Sequence, residues 1–206
     1  MLAAEYAASR TPKGLKRLII ANSPASIALC TQGIGYLLSY FPEELVQTIR
    51  KHEAEGTTDF QEYMDASMVF YKKHVCTVDP WPEELFQSFK EFKKNPRVRL
   101  TMYVYFRKVP RHTPFDSRPL YRLGPSQKFT TTGNLKNWDI TGIIHKIACP
   151  TLLISAPLDE IQEVVVLPFL KIPKVKWVEL QNSSHFGQFE EPERLVVFYF
   201  EDKLCS

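Results

Sequence analysis

The apolar positions of this chain fall into two patterns, which predict two kinds of secondary structure. Three short, nearly continuous apolar runs, at residues 18–21, 150–159 and 175–180, are bounded by polar or turn residues. Such runs are typical of strands that are buried on both faces of a parallel sheet. A short helix of small residues is predicted at 2–9, ahead of the first strand. Helices and buried strands in this order predict an α/β fold.

Helical spacing dominates the long segment between the first and second strands. Phe41 and Trp81 are each followed by Pro-Glu-Glu-Leu, and acidic residues beside a proline are typical of a helix N-terminus. Residues 60–75 predict another helix, with basic residues near its C-terminal end. Its predicted apolar side comprises Tyr63, Met64, Met68, Phe70 and Tyr71. We interpret residues 25–138 as a mainly helical cap, and residues 1–24 and 139–206 as the α/β part.

Composition and charge narrow the functional classes. The 206 residues are 44% hydrophobic and 24% charged, which is typical of one globular core. The net charge of +3 is scattered, so we expect no nucleic-acid partner. The apolar runs are far shorter than a membrane span, and the first residues lack the basic start of a signal peptide, so we expect no membrane partner and a cytoplasmic location.

The four cysteines give no sign of a metal site. They lie far apart in the sequence, without the paired spacing of zinc ligands, and stand at Cys30, Cys76, Cys149 and Cys205. We therefore expect reduced thiols, and we expect neither a metal nor a cofactor.

The candidate catalytic residues are Asp159 and His185, because Asp159 ends the second predicted strand and His185 follows the third. The carboxyl ends of parallel strands meet at one edge of a sheet, where functional groups converge. An acid there could orient an imidazole that acts as a general base. Two alternatives stay open, since the aspartate could cap a helix and the histidine could be a surface residue. The other histidines, for which a solvated or capping role is expected, are His52, His74, His112 and His145.

The nucleophile that such a pair would serve is missing from the sequence. None of the twelve serines stands in a Gly-x-Ser-x-Gly motif, the strand-to-helix turn that presents the nucleophile of serine hydrolases. Ser23 and Ser26 follow the first predicted strand, and we interpret them as part of a turn into the helical segment.

Several runs in order resemble the proline iminopeptidase family of α/β-hydrolases. The resemblance covers most of residues 1–102 and 124–194. The matching runs are 1–6, 18–25, 70–76, 81–85, 133–140, 150–160 and 182–185, among them Leu-Ile-Ile-Ala-Asn-Ser-Pro-Ala, Phe-Tyr-Lys-Lys-His-Val-Cys and Asn-Ser-Ser-His.

This resemblance implies the C-terminal part of an α/β-hydrolase fold, with about three parallel strands and an inserted, mainly helical cap. It also implies a serine aminopeptidase that releases N-terminal proline, or a similar residue, from a peptide or small amide. Asp159 would be the acid of its catalytic triad and His185 the base. Glu62 would bind the substrate's free amine, although a solvated helix carboxylate is equally consistent with that position.

Departures from the family concern the expected activity, and the ending at 195–206 also differs from the family's last helix. The chain begins just past the expected nucleophile turn, so we expect residues 1–206 alone to be inactive. Gln127-Lys128 stands where the family has a second amine-binding glutamate, and the lysine would repel an ammonium group. Residues 103–123 have no counterpart in the family. We favour a translated intron there, although a genuine basic loop for an acidic partner stays open.

Two alternatives to a catalytic function remain. The chain could be a non-catalytic binding or assembly protein, or a degenerate fragment without a function of its own. The first of these predicts self-association through an exposed sheet edge, because unpaired edge strands recruit further strands.

Overall fold

Within the described residues, three parallel strands form the sheet, in the order β1-β2-β3. They are β1 (Leu18–Ala21), β2 (Thr151–Ser155) and β3 (Val175–Glu179). Leu18 pairs with Thr151, which in turn pairs with Val175. The predicted α/β class and the three predicted strands are therefore confirmed. The structure is a computed structural model, and it describes residues 1–94, 129, 131 and 134–200.

Among the described residues, helices lie before, between and after the strands along the chain, and most of them fall between β1 and β2. Those before β2 are α1 (Leu2–Arg10), α2 (Ile27–Leu38), α3 (Glu43–Glu55), α4 (Gln61–His74), α5 (Glu83–Lys94) and a 3-10 helix at Ile144–Lys146. Those after β2 are α6 (Glu163–Val166), a 3-10 helix at Leu167–Lys171, α7 (Gly187–Glu190) and α8 (Pro192–Phe200).

The central strand β2 is buried along its whole length, which explains its uninterrupted apolar sequence. On one face, Leu153 packs in a cluster with Ile20, Phe169 and the three buried alanines of α1. On the other face, Leu152 and its neighbours pack against Leu180. Side chains on both faces of the sheet therefore fix the position of the C-terminal ends of β2 and β3.

A second core lies within the helical segment. Helices α2, α3 and α4 contribute Ile34, Ile49 and Phe70 to one buried cluster, which also includes Phe129. The described part of residues 25–138 is mainly helical, as predicted, and α3 begins directly after Pro42.

The predicted apolar side of α4 is wrong at one position. The buried residues of this helix are Tyr63, Ser67, Phe70 and His74, which recur at intervals of three or four positions along one face. Met68 points away from that face and is 37% exposed.

Residues 103–123 lie outside the described residues, so the two explanations for that stretch stay open. The assignment of residues 25–138 to a cap and of the rest to a partial hydrolase core also stays a prediction. Within the described part of the chain, no helix is long and apolar enough to cross a membrane.

Candidate functional site

Asp159 and His185 lie in contact, although 26 positions separate them in the sequence. Asp159 stands in the loop that follows β2, and His185 stands in the loop that follows β3. The two loops meet because β2 and β3 are adjacent parallel strands. The Asp159 Oδ1 to His185 Nδ1 distance is 2.9 Å. The predicted proximity of these two residues is therefore a feature of the structure.

The hydrogen bonds of Asp159 fix its orientation toward the histidine. The backbone N–H of Ile161 donates to Asp159 Oδ1 over 2.8 Å. The same oxygen accepts the hydrogen bond from the ring of His185, because an ionised carboxylate can only accept. The proton of the neutral imidazole is then on Nδ1, which leaves the lone pair on Nε2. An imidazole in this tautomer can accept a proton from a third group.

Burial controls the electrostatics of the pair. The Asp159 side chain is fully buried, whereas that of His185 is 27% exposed. Desolvation raises the pKa of Asp159, and the charge and hydrogen bond of His185 oppose that rise. Asp159 Oδ2 is also buried and has no hydrogen-bond partner among the described residues. A carboxylate in this position can stabilise an imidazolium cation formed on the neighbouring ring, because opposite charges attract more strongly away from water.

Asn22 fixes the backbone of His185 from the end of β1. Its Nδ2 donates to the backbone carbonyl of His185 over 2.7 Å. The residue adopts a φ of 45°, a left-handed conformation that asparagine tolerates better than most residues. The sequence pattern predicted only a strand end at this position. The sequence feature that could have indicated this role is an asparagine directly after a buried strand.

Two histidines expected to be solvated or capping are instead buried. His52 is 3% exposed and His74 is 4% exposed. The expectation of solvation was wrong because both lie on the inner faces of their helices, α3 and α4. His74 Nδ1 donates to the carbonyl of Leu158, the residue before Asp159, over 2.8 Å. His145, by contrast, is exposed.

Glu62 lies in the first turn of α4. Its Oε2 is 3.2 Å from His52 Nε2 of α3, and its side chain is 63% exposed. Its expected role in binding a substrate amine stays a prediction. Gln127 and Lys128, the other positions tied to amine selectivity, lie outside the described residues.

Metal-ligating side chains and cysteines form no second centre in the described part of the chain. Across residues 1–94, 129, 131 and 134–200, no group of three or more metal-ligating side chains comes together. No disulfide joins the cysteines in these ranges, which are Cys30, Cys76 and Cys149.

Comparison with known proteins places this geometry in context. No profile of a protein family matches the chain. Proline iminopeptidase from Heyndrickxia coagulans is 31% identical over 95% of the chain, which spans 60% of that relative. Proline iminopeptidase from Thermoplasma volcanium is 28% identical over 92% of the chain, which spans 58% of it. The chain thus spans little more than half the length of these curated relatives.

Solved structures give a consistent result. The crystal structure of VinJ matches with a TM-score of 0.83 and 33% identity, over 100% of this chain and 63% of VinJ. That of proline iminopeptidase from Mycobacterium smegmatis matches with a TM-score of 0.78 and 31% identity, over 99% of this chain and 62% of that one. The sheet, the adjacent loops that carry the acid and the histidine, and these similarities agree: the chain has part of an α/β-hydrolase fold, and its sequence is similar to those of proline iminopeptidases.

Proposed function

We propose that this chain carries the acid and the base of a serine aminopeptidase that releases N-terminal proline, or a similar residue, from peptides or small amides. The observation that carries the proposal is the 2.9 Å hydrogen bond between Asp159 and His185, at the ends of adjacent parallel strands. The proposed substrate class follows from the names of the relatives, which are proline iminopeptidases.

In this proposal, His185 Nε2 accepts the proton of a serine hydroxyl as that oxygen attacks the carbonyl carbon of the substrate. The same nitrogen then donates the proton to the departing amine. Asp159 keeps the imidazole in the required tautomer and stabilises its protonated form. Water then hydrolyses the acyl-enzyme by the same proton transfers in the same order.

The nucleophile is the part that these 206 residues do not supply. No Gly-x-Ser-x-Gly motif occurs in them, so we propose that residues 1–206 alone do not hydrolyse proline amides. We further propose that Glu62 contributes to binding of the substrate amine, with selectivity weakened by the lysine at position 128.

The first test assays the purified 206-residue chain on a proline arylamide, beside His185→Ala and His145→Ala. We expect no hydrolysis above background in any of the three proteins. Hydrolysis that disappears in His185→Ala but persists in His145→Ala would place the nucleophile within these residues and would contradict the proposal on that point.

The second test sequences the transcript with long reads that extend upstream of Met1 and across residue 123. If the reads show an in-frame Gly-x-Ser-x-Gly motif, the longer protein is assayed on the same arylamide. We then expect His185→Ala to lower kcat about a million-fold, as for histidines of other serine hydrolases. The exposed His145→Ala serves as the matched control and should retain full activity. Retained activity in His185→Ala would exclude His185 as the base.

One observation favours a second candidate, a non-catalytic assembly protein. Among the described residues, β1 pairs with a strand on one side only. An unpaired edge can add a strand from another molecule. This candidate predicts self-association without hydrolysis.

A further inference from the structure

Glu190, at the C-terminal end of α7, accepts four hydrogen bonds from two other parts of the chain. Its Oε1 accepts from Thr77 N at 2.8 Å, Thr77 Oγ1 at 2.7 Å and Ser184 Oγ at 2.6 Å. Its Oε2 accepts from Ser184 N at 2.7 Å. Hydrogen bonds to a charged acceptor are about twice as strong as neutral ones. One carboxylate thus joins the segment after α4 to the residue directly before His185.

The residue on the other side of His185 is held by the same segment. The backbone N–H of Phe186 donates to the carbonyl of Val75 over 3.0 Å. Ser184 and Phe186 are therefore both attached to residues 75–77, one through the Glu190 side chain and one directly. This arrangement leaves the backbone of His185 little freedom to shift away from Asp159.

The two chain neighbours of Asp159 are likewise both hydrogen-bonded to His74, the last residue of α4. His74 Nδ1 donates to the carbonyl of Leu158, and the backbone N–H of Glu160 donates to the carbonyl of His74 over 3.1 Å. Residues 74–77 thus contact both neighbours of the acid and, with Glu190, both neighbours of the histidine. We call these four residues the brace.

Of the contacts that the brace makes, those through Glu190 are the ones that a single side-chain substitution can test without changing the backbone or the core. The other links use backbone atoms or the buried His74 ring, whereas Glu190 acts through its side chain alone. Glu191 accepts hydrogen bonds from Asn182 N and Ser183 Oγ, and these two residues lie farther than Ser184 from His185 in the sequence. Only Glu190, of these two acids, connects the histidine loop to the brace.

We propose that Glu190 is a positioning residue that sets His185 opposite Asp159 by tying Ser184 to Thr77. The catalytic consequence rests on the proposed function, but the placement of the ring can be measured without any activity. Glu190→Gln replaces one carboxylate oxygen with an NH₂ group, which cannot accept the hydrogen bond from Ser184 N. Ser184 N then faces a donor, so the attachment of Ser184 to Thr77 through residue 190 weakens, although the Phe186–Val75 hydrogen bond remains. We expect the Asp159–His185 hydrogen bond to lengthen or break.

The test uses proton NMR of the 206-residue chain with ¹⁵N-labelled histidine. A ring proton held between Nδ1 and a carboxylate is protected from exchange and gives a downfield signal, which His185→Ala assigns. We expect this signal in the unmodified chain and in Glu193→Gln, the matched control on the exposed face of α8. We expect its loss in Glu190→Gln, while the His74 ring proton bonded to Leu158 persists and reports an intact fold.

Persistence of the His185 signal in Glu190→Gln would overturn the proposal. If Glu190→Gln loses both histidine signals, the chain has not folded and Thr77→Val decides instead. That variant removes only the Oγ1 hydrogen bond between Thr77 and Glu190. A weakened His185 signal in Thr77→Val then supports the proposal, and an unchanged one overturns it.

A second measurement applies where a longer, active protein is available. Misplacement of a catalytic group lowers turnover far more than substrate binding, so we expect Glu190→Gln to reduce kcat about 10- to 100-fold with little change in KM. Loss of the NMR signal without any effect on kcat would retain Glu190 as a positioning residue and would instead count against His185 as the base. The two proposals can therefore fail separately.

Discussion

His74 shows how a single buried imidazole couples the stability of the chain to pH. Desolvation lowers the pKa of His74, and the positive charge of Lys73 acts in the same direction. The hydrogen bond to Leu158 and the charge of Glu160 offset part of this effect. The pKa of the His74 ring is therefore lower in the folded chain than in the unfolded chain, where it is near the ordinary value for histidine.

We predict that the chain loses stability as the pH falls below about 6.5, the ordinary pKa of histidine. In that range the unfolded state binds more protons than the folded state, so the free energy of unfolding decreases by up to about 1.4 kcal/mol per pH unit for this group. His74→Asn retains a donor for the Leu158 carbonyl but does not titrate. Urea unfolding between pH 7.5 and pH 5 should show a smaller decrease for this variant.

The control for this prediction is His145→Asn, since His145 is exposed. Its pH dependence should match that of the unmodified chain. An equal slope in His74→Asn and the unmodified chain would contradict the prediction.

At the scale of elements, the approach of α7 to the end of β3 determines where the histidine loop lies. Gly187 begins α7 directly beyond Phe186, and a Cβ at this position would lie 2.5 Å from Leu180 Cδ1. Leu180 is 1% exposed and packs within the cluster of Leu152 and Ile154, so it has little room to move. Glycine is required here for the close contact rather than for an unusual backbone conformation.

We predict that Gly187→Ala destabilises the chain by about 1–3 kcal/mol, the usual cost of overpacking a well-packed site. Gly35 provides the matched control, because it is an exposed glycine within α2, where an added Cβ would meet nothing within 4 Å. Gly35→Ala should stabilise the chain by about 0.5–1 kcal/mol through helix propensity. Denaturant unfolding of both variants measures the difference, and equal effects would contradict the close contact.

The pattern of apolar residues predicted where the helices and strands lie better than it predicted which face of a helix is buried. The predicted helix at 60–75 is α4, Gln61–His74, because its apolar residues recur at helical spacing. The predicted position of Met68 in the core was wrong because local spacing leaves the centre of the apolar arc uncertain by one residue, and the adjacent Ser67 is buried instead. Packing against α3 decided which arc is buried.

At the scale of the whole molecule, the sheet edge at β1 has the largest consequence. Leu18 and Ile20 of this strand are buried, yet β1 has only β2 as a strand neighbour within the described residues. Backbone groups on the outer side of an edge strand are available to another chain.

We predict that the purified 206-residue chain self-associates through β1. Ala21→Lys places a charge at the exposed end of this strand and should reduce association, because charged side chains protect sheet edges. Gln87→Lys, on the exposed face of α5, adds the same charge elsewhere and should leave association unchanged. Sedimentation velocity measures the species present. A monomer with a sharp, cooperative unfolding transition would contradict the prediction.

The sequence by itself determined the α/β class, the three strands and the candidate pair of Asp159 and His185. These features are local, since a short apolar run predicts a buried strand and the residue after it predicts a place at the edge of the sheet. Resemblance to a family supported the same pair and pointed to Glu62. For Glu62, local pattern could not show that His52 of α3 would be its hydrogen-bond partner.

Only the tertiary structure decided what surrounds the pair. Glu190 and Thr77 meet across 113 positions of sequence, and His74 and Leu158 meet across 84. No local pattern encodes such contacts, because they exist only once the end of α4 has docked against the loops after β2 and β3. The residue types of the acid and the base were set by the sequence, and the orientation of the imidazole toward the carboxylate was set by packing between distant segments.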